Sequence, residues 1–245
     1  MGTNTAFAAE TSYAVPQQLF DGQESIYQQP SMSAPIKPQL RGVLHQISFF
    51  VALVAGAWLL TRARGAMFWA CLVYLVALCG QLAVSALYHR LTWAPKARQW
   101  WRRLDHSFIM ILIAGTGTPL AVALPTDSTS TFLLLLLWGG AALGVLRAMV
   151  WITAPKPIVA VLALALAWFS YPFMPALSTV MGTTSVLWLL GGGVIYSLGA
   201  VAYALKRPDP WPTVFGYHEV FHTLVVVGAA CHFVTVTRVV LGMVG

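Results

Sequence analysis

Tyr217-His218-Glu219-Val220-Phe221-His222 opens an apolar run that continues to Leu241. About 20 apolar residues cross a bilayer as a helix, so the run reads as a membrane-spanning helix. The two histidines, four residues apart, stand about one turn from each other on the same face. That is a metal-ligand spacing. At the mouth of a membrane segment a polar side chain costs free energy unless something compensates it. Fold and function therefore turn on what the rest of the chain brings to this pair.

The rest of the chain is of the same kind. Of 245 residues, 58% are hydrophobic and only 9% charged, against about 25% charged in soluble domains. The mean hydropathy is +0.74. The expectation is an all-α membrane protein with seven transmembrane helices, at about 43–61, 66–89, 105–124, 131–152, 157–178, 184–205 and 217–241. Short connectors with helix breakers separate the runs, among them Pro125-Thr126-Asp127 and Pro208-Asp209-Pro210. Residues 37–245 read as one seven-helix transmembrane domain. Residues 1–36, polar and rich in Gln, Ser and Pro, read as a disordered tail with no cleavable signal peptide. No internal repeat supports an inverted-repeat transporter. Cys71, Cys79 and Cys231 fall in apolar runs without zinc-motif spacing and read as buried small hydrophobes.

The net charge of +7 does not point to nucleic acid, because the basic residues lie in short loops and act as topology signals. With the N-terminus cytoplasmic, the inner side collects Lys37, Arg41, Arg90, Lys96, Arg98, Arg102, Arg103, Lys156, Lys206 and Arg207. The outer side collects Arg62, Arg64 and Arg238, while Arg147 lies near the inner end of span 4. This asymmetry predicts the N-terminus in the cytoplasm and the C-terminus outside.

Depth then groups the polar residues. Span 2 ends at the inner face with Ser85-Ala86-Leu87-Tyr88-His89, span 3 starts there with Asp105, and span 7 starts there with His218 and His222. Three histidines and a carboxylate from three helices share one level. Three imidazoles and a water make a catalytic zinc arrangement; Asp105 and Ser85 are placed to hold that water, or Asp105 to orient a ligand histidine. Each residue has a plainer reading. A single histidine at a helix end is unremarkable, and Asp105 alone fits a helix N-cap. His232, about 15 Å deeper than His222, either lines a cavity or is a paired core histidine. His45 is a supporting or an interfacial residue, and His106 points away from the site. Arg147 snorkels to the interface or pairs with Asp105. Gly115-Thr116-Gly117-Thr118-Pro119 lacks a strand–turn–helix context and reads as packing, not a nucleotide loop.

Ser85-x-x-x-His89, Leu104-Asp105-His106, Ile113-Ala114-Gly115-Thr116, Gly216-Tyr217-His218-Glu219-x-Phe221-His222 and Cys231-His232-Phe233 together resemble the haemolysin-III proteins. These form the bacterial branch of the progestin and adiponectin receptor superfamily. The likeness runs from about residue 40 to the C-terminus. It implies seven transmembrane helices in the cell membrane and a zinc near the cytoplasmic face. The implied ligands are His89, His218 and His222, with Asp105 and Ser85 contacting the metal-bound water. Zinc leads among the metals that imidazoles suit through this resemblance.

Three functional readings follow. The first is a ceramidase-like zinc hydrolase of lipid amide or ester bonds, involved in membrane homeostasis, with membrane lipid as substrate or ligand and Asp105 as general base. The second is a pore-forming or receptor-like protein in which zinc only ties spans 2 and 7 together. The third is an intramembrane metalloprotease, since His218-Glu219-Val220-Phe221-His222 satisfies H-E-x-x-H with Glu219 as base.

Overall fold

The computed structural model describes residues 37–242, and they are helical apart from short connectors. In order come α1 (Val43–Arg62), α2 (Gly65–Arg90), α3 (Pro95–Ala123), α4 (Ser128–Val150), α5 (Lys156–Trp168), α6 (Met174–Leu205) and α7 (Tyr217–Val240). Among the described residues six helical stretches are long and apolar enough to cross a membrane, by length and composition; one of them, Lys156–Leu205, takes in α5 and α6 over 50 residues. The expected tail, 1–36, lies outside the described residues. Large apolar side chains such as Phe50, Val54, Leu135, Leu143, Val161 and Leu187 stand exposed on the outside of the bundle. A soluble monomer does not present such a surface, whereas lipid solvates it. The protein is a multi-pass membrane protein.

Local chemistry sets the helix starts. Asp127 accepts hydrogen bonds from the backbone of Thr129 at 2.8 Å and Ser130 at 3.1 Å, satisfying orphan donors of α4. Pro95 starts α3, where its missing N–H costs nothing. That helix begins ten residues before its apolar run. Its first turns are amphipathic, and Trp and Arg are suited to a membrane interface. A reading keyed to hydropathy alone therefore cuts the helix short. Asp105 lies almost three turns inside α3, so it is not a helix N-cap, and that plainer reading is corrected.

Lys156–Leu205 is not straight. A 3-10 turn at Tyr171–Phe173 separates α5 from α6, and Gly182 inside α6 adopts φ 74° and ψ 156°. Glycine takes that backbone without a Cβ penalty. Trp168 Nε1 donates to Ser197 Oγ at 3.1 Å, although 29 residues separate them. In a straight helix they would lie roughly 43 Å apart, so the chain folds back at Gly182.

The centre of the bundle is α2 and α3, whose apolar windows are 56% and 61% buried, against 22–28% for the other candidate spans. These two helices pack through small residues, as membrane helices do. A Cβ added to Gly115 of α3 would come within 2.5 Å of Ala77 Cβ of α2, and a methyl on a backbone cannot swing aside. Gly115→Ala is expected to force the helices apart at a cost of about 1–3 kcal/mol. The measurement is thermal unfolding in detergent, where each kcal/mol lowers Tm by roughly 2–4 °C. An unchanged Tm would contradict this packing.

Candidate metal centre

The residues converge because one end of the bundle is interlocked. At the start of α7, Tyr217 N donates to Asp209 Oδ1 at 2.8 Å and Gly216 N to Glu219 Oε2 at 2.9 Å, so two orphan donors are satisfied. The other oxygen of Glu219, a residue 1% exposed, is ion-paired with Arg41 just ahead of α1. Gln39 N and Leu40 N donate to Thr213 O and Val214 O at 3.1 and 3.2 Å. Gly42 closes this segment in the left-handed region at φ 80°. A Cβ there would sit 2.9 Å from His89 Cβ, so the backbone before α1 lies directly against the last turn of α2. Lys156 Nζ donates to Tyr217 Oη at 2.8 Å and lies over the Tyr203 and Tyr217 rings, a cation–π contact that ties α5 to α6 and α7.

Within this frame one ligand nitrogen from each of His89, His218 and His222 lies within 4.8 Å of the other two. The Nε2 atoms of His89 and His218 are 3.2 Å apart. Ligands 2.0–2.1 Å from a tetrahedral zinc stand about 3.3 Å from one another. The donor set therefore fits a single metal ion, and neutral imidazoles suit zinc, copper, iron or nickel. Asp105 stands beside the cluster, with Oδ2 at 4.0 Å from His89 Nε2. Its Oδ1 is buried and has no hydrogen-bond partner. The Ser85 hydroxyl, on a residue 1% exposed, lies beside that carboxyl. An unpaired carboxylate oxygen next to three converging nitrogens is a place for one more polar ligand, since leaving it bare is costly.

His45 belongs to this cluster. It is buried and stacks on His222 with ring centroids 3.9 Å apart and planes 5° from parallel, which restricts the His222 ring. Depth along span 1 pointed to His45, but its direction around the helix could not be read from sequence. His106, expected outside the site, is buried in the wall of the same cavity, its Nδ1 without a partner; it is not one of the three converging histidines. His232 meets both of its readings: it lines the cavity and its Nε2 lies 3.1 Å from Leu189 O. Arg147 does not pair with Asp105, because none of its guanidinium nitrogens has a hydrogen-bond partner. Sequence reasoning missed the Arg41–Glu219 pair, which joins residues 178 apart.

A cavity of about 480 Å³ opens from the cluster. Its wall runs along α3 from Asp105 to Leu120, about 22 Å of helix, and is mostly apolar beyond the histidines. Its rim includes Lys37, Arg41, Arg98 and Arg102. Partial burial first, then the charges of Arg90, Arg41 and Arg98, hold the Lys37 ammonium below its ordinary pKa. The rim is an electropositive mouth over an apolar chamber. Cys71, Cys79 and Cys231 are free thiols, two of them buried.

The model of a protein family described as "Haemolysin-III related" matches residues 34–233. The chain is similar to a "Hemolysin-3 homolog" of Bacillus subtilis, 28% identical over 150 residues, 61% of this chain and 67% of that protein. It is similar to "Hemolysin-3" of Bacillus cereus, 27% identical over 147 residues, 60% of this chain and 64% of that protein. A shorter stretch of 68 residues is 37% identical to an "Adiponectin receptor protein" of Drosophila melanogaster, covering 26% of this chain and 15% of that one. The match thus spans about two thirds of each bacterial relative and a small part of the receptor.

Proposed function

Because the chain belongs to the haemolysin-III related family, we propose that its histidine cluster holds zinc and that the protein hydrolyses an amide or ester bond of a membrane lipid. The observation that carries this reading is the contact between the three histidines and a long apolar cavity. A structural metal site has no need of one, and a structural zinc normally takes all four ligands from protein. Here three histidines converge, and Asp105 stands beside them with one carboxylate oxygen that has no hydrogen-bond partner.

Zinc, when bound, supplies Lewis acidity and brings the pKa of water to near 7. The chain's own residues do the rest. His45, stacked on His222, holds that ring in orientation. Asp105, with Ser85 beside it, takes the proton of the attacking water and returns it to the leaving nitrogen or oxygen. The apolar wall receives the acyl chain, and the basic rim receives the polar head. Glu219 has no part in the step: both its oxygens are engaged, with Arg41 and with Gly216 N. That engagement counts against the H-E-x-x-H protease reading. A receptor-like role, with metal tying α2 to α7, retains the support of the adiponectin receptor likeness.

The proposal includes seven crossings, counting Lys156–Leu205 as two on either side of Gly182. It also includes a cytoplasmic N-terminus, because the ten basic residues of 37–41, 90–103, 156 and 206–207 gather at the histidine end. The test is release of fatty acid from ceramide and from glycerolipid esters by detergent-purified protein. Turnover is expected, lost on chelation and restored by zinc. No release from either class by zinc-loaded protein would overturn the hydrolase reading.

A further inference from the structure

Below the histidine cluster, α2 carries a second set of polar groups on the same face. His89, Ser85, Gln81 and Tyr74 follow at spacings of four, four and seven residues, one stripe of a helix. Gln81 lines the cavity, is 4% exposed, and its Oε1 has no hydrogen-bond partner. Tyr74, 1% exposed, leaves its hydroxyl unpaired too. His232 of α7 lines the same cavity, its ring 5.2 Å from Tyr196. Room for that imidazole depends on Gly192: a Cβ there would come within 2.4 Å of His232 Cδ2.

Polar side chains in a membrane bundle are costly and are normally paired or functional. Those of this group lie far from the metal centre. Gln81 is eight residues below His89, about 12 Å, and His232 is ten below His222, about 15 Å. The hydrogen-bond roles say what they can take. Leu189 O can only accept, so His232 Nε2 is the donor to it, and the neutral ring then keeps Nδ1 as an acceptor. Gln81 Oε1 is a second acceptor. An aliphatic chain offers neither acceptor a proton, nor does a carbonyl. A hydroxyl donates its one proton to one of them and can accept from the Gln81 amide.

The geometry points to a hydrogen-bonding subsite at Gln81 and His232, deep in the cavity, that takes a hydroxyl carried on the hydrocarbon chain of the lipid. This rests on the reading that the cavity receives a lipid chain, but not on zinc or on turnover. A site built to hydrogen-bond a hydroxyl discriminates strongly against the analogue lacking one, because its own polar groups are then left bare.

The experiment is competition binding to the full chain in detergent, displacing a fluorescent fatty acid with stearate or with stearate carrying one mid-chain hydroxyl. In the wild type the hydroxylated acid is expected to bind about ten-fold more tightly. The ratio should fall to about one in Gln81→Met, which keeps the volume and removes the amide. His232→Phe should lower it as well, and serves if the first variant does not fold. Equal binding of the two acids by the wild type would overturn the subsite and mean that ordered water alone fills this region. A preference that survives in both variants would overturn the assignment to these residues. Binding of neither acid would overturn the lipid-cavity reading itself, an outcome distinct from equal binding of both.

Discussion

His218→Ala and His89→Ala are each expected to reduce bound metal from about one ion per chain to near none. The three histidines supply the donor nitrogens that lie together within 4.8 Å, and among the described residues His45, stacked on His222, is not part of that converging set. Four-ligand zinc sites bind with apparent energies of about 10–16 kcal/mol, roughly 3 kcal/mol for each ligand. Removal of one then weakens binding by more than about 100-fold. Elemental analysis of protein dialysed against a weak chelator checks this. His106→Ala, in the same cavity wall but outside the converging set, should keep its metal. His45→Ala is an intermediate case: it leaves all three ligands but frees the His222 ring, and loss of such an orienting partner costs typically 10–100-fold in affinity. Full metal content in His218→Ala would sink the assignment of the site, and with it the hydrolase reading.

Much of this arrangement can be read from sequence, for a physical reason. A membrane helix has a known rise and a known length, so hydropathy and basic residues convert position along the chain into depth. Depth is what groups Ser85, His89, Asp105, His218 and His222. What depth leaves open is direction around each helix. His106 neighbours Asp105 in the chain and still shares the cavity wall, and His45 meets His222 face to face. Neither contact follows from level alone. The ends of helices escape for another reason. The first turns of α3 are amphipathic rather than apolar, so a hydropathy reading places Asp105 at a helix start when it lies well inside. The break at Gly182, φ 74°, falls in the gap expected between 178 and 184, whereas the end of α5 at Trp168 and the 3-10 turn at Tyr171–Phe173 lie in a stretch whose hydropathy hardly changes. Glu219 shows the limit most plainly. The motif His218-Glu219-Val220-Phe221-His222 places it between two converging histidines. Only the fold reveals that its carboxylate turns toward Arg41 and the start of its own helix.

That difference between Asp105 and Glu219 sets up the second large effect. Asp105→Asn is expected to lower lipid hydrolysis by about 10²–10⁴-fold, the usual contribution of a positioned general base, while metal content stays near one per chain. The amide keeps the size and one accepting oxygen of the carboxylate but can no longer take a proton from water. Attack on the carbonyl forms the new carbon–oxygen bond, and the water's proton then has no acceptor at the distance Asp105 offers. The leaving amine or alcohol loses its proton donor by the same change. Glu219→Gln provides the contrast. It keeps the bond from Gly216 N but removes the negative charge facing Arg41, so it should leave turnover within a few-fold and lower the melting temperature. Breaking a buried pair from one side costs on the order of 3 kcal/mol. A general base at Glu219 would invert both results, with activity lost in Glu219→Gln and retained in Asp105→Asn. Melting curves and metal analysis on the same samples separate these cases from simple unfolding. Only a folded, metal-loaded Asp105→Asn protein without turnover places the proton transfer on α3 rather than α7.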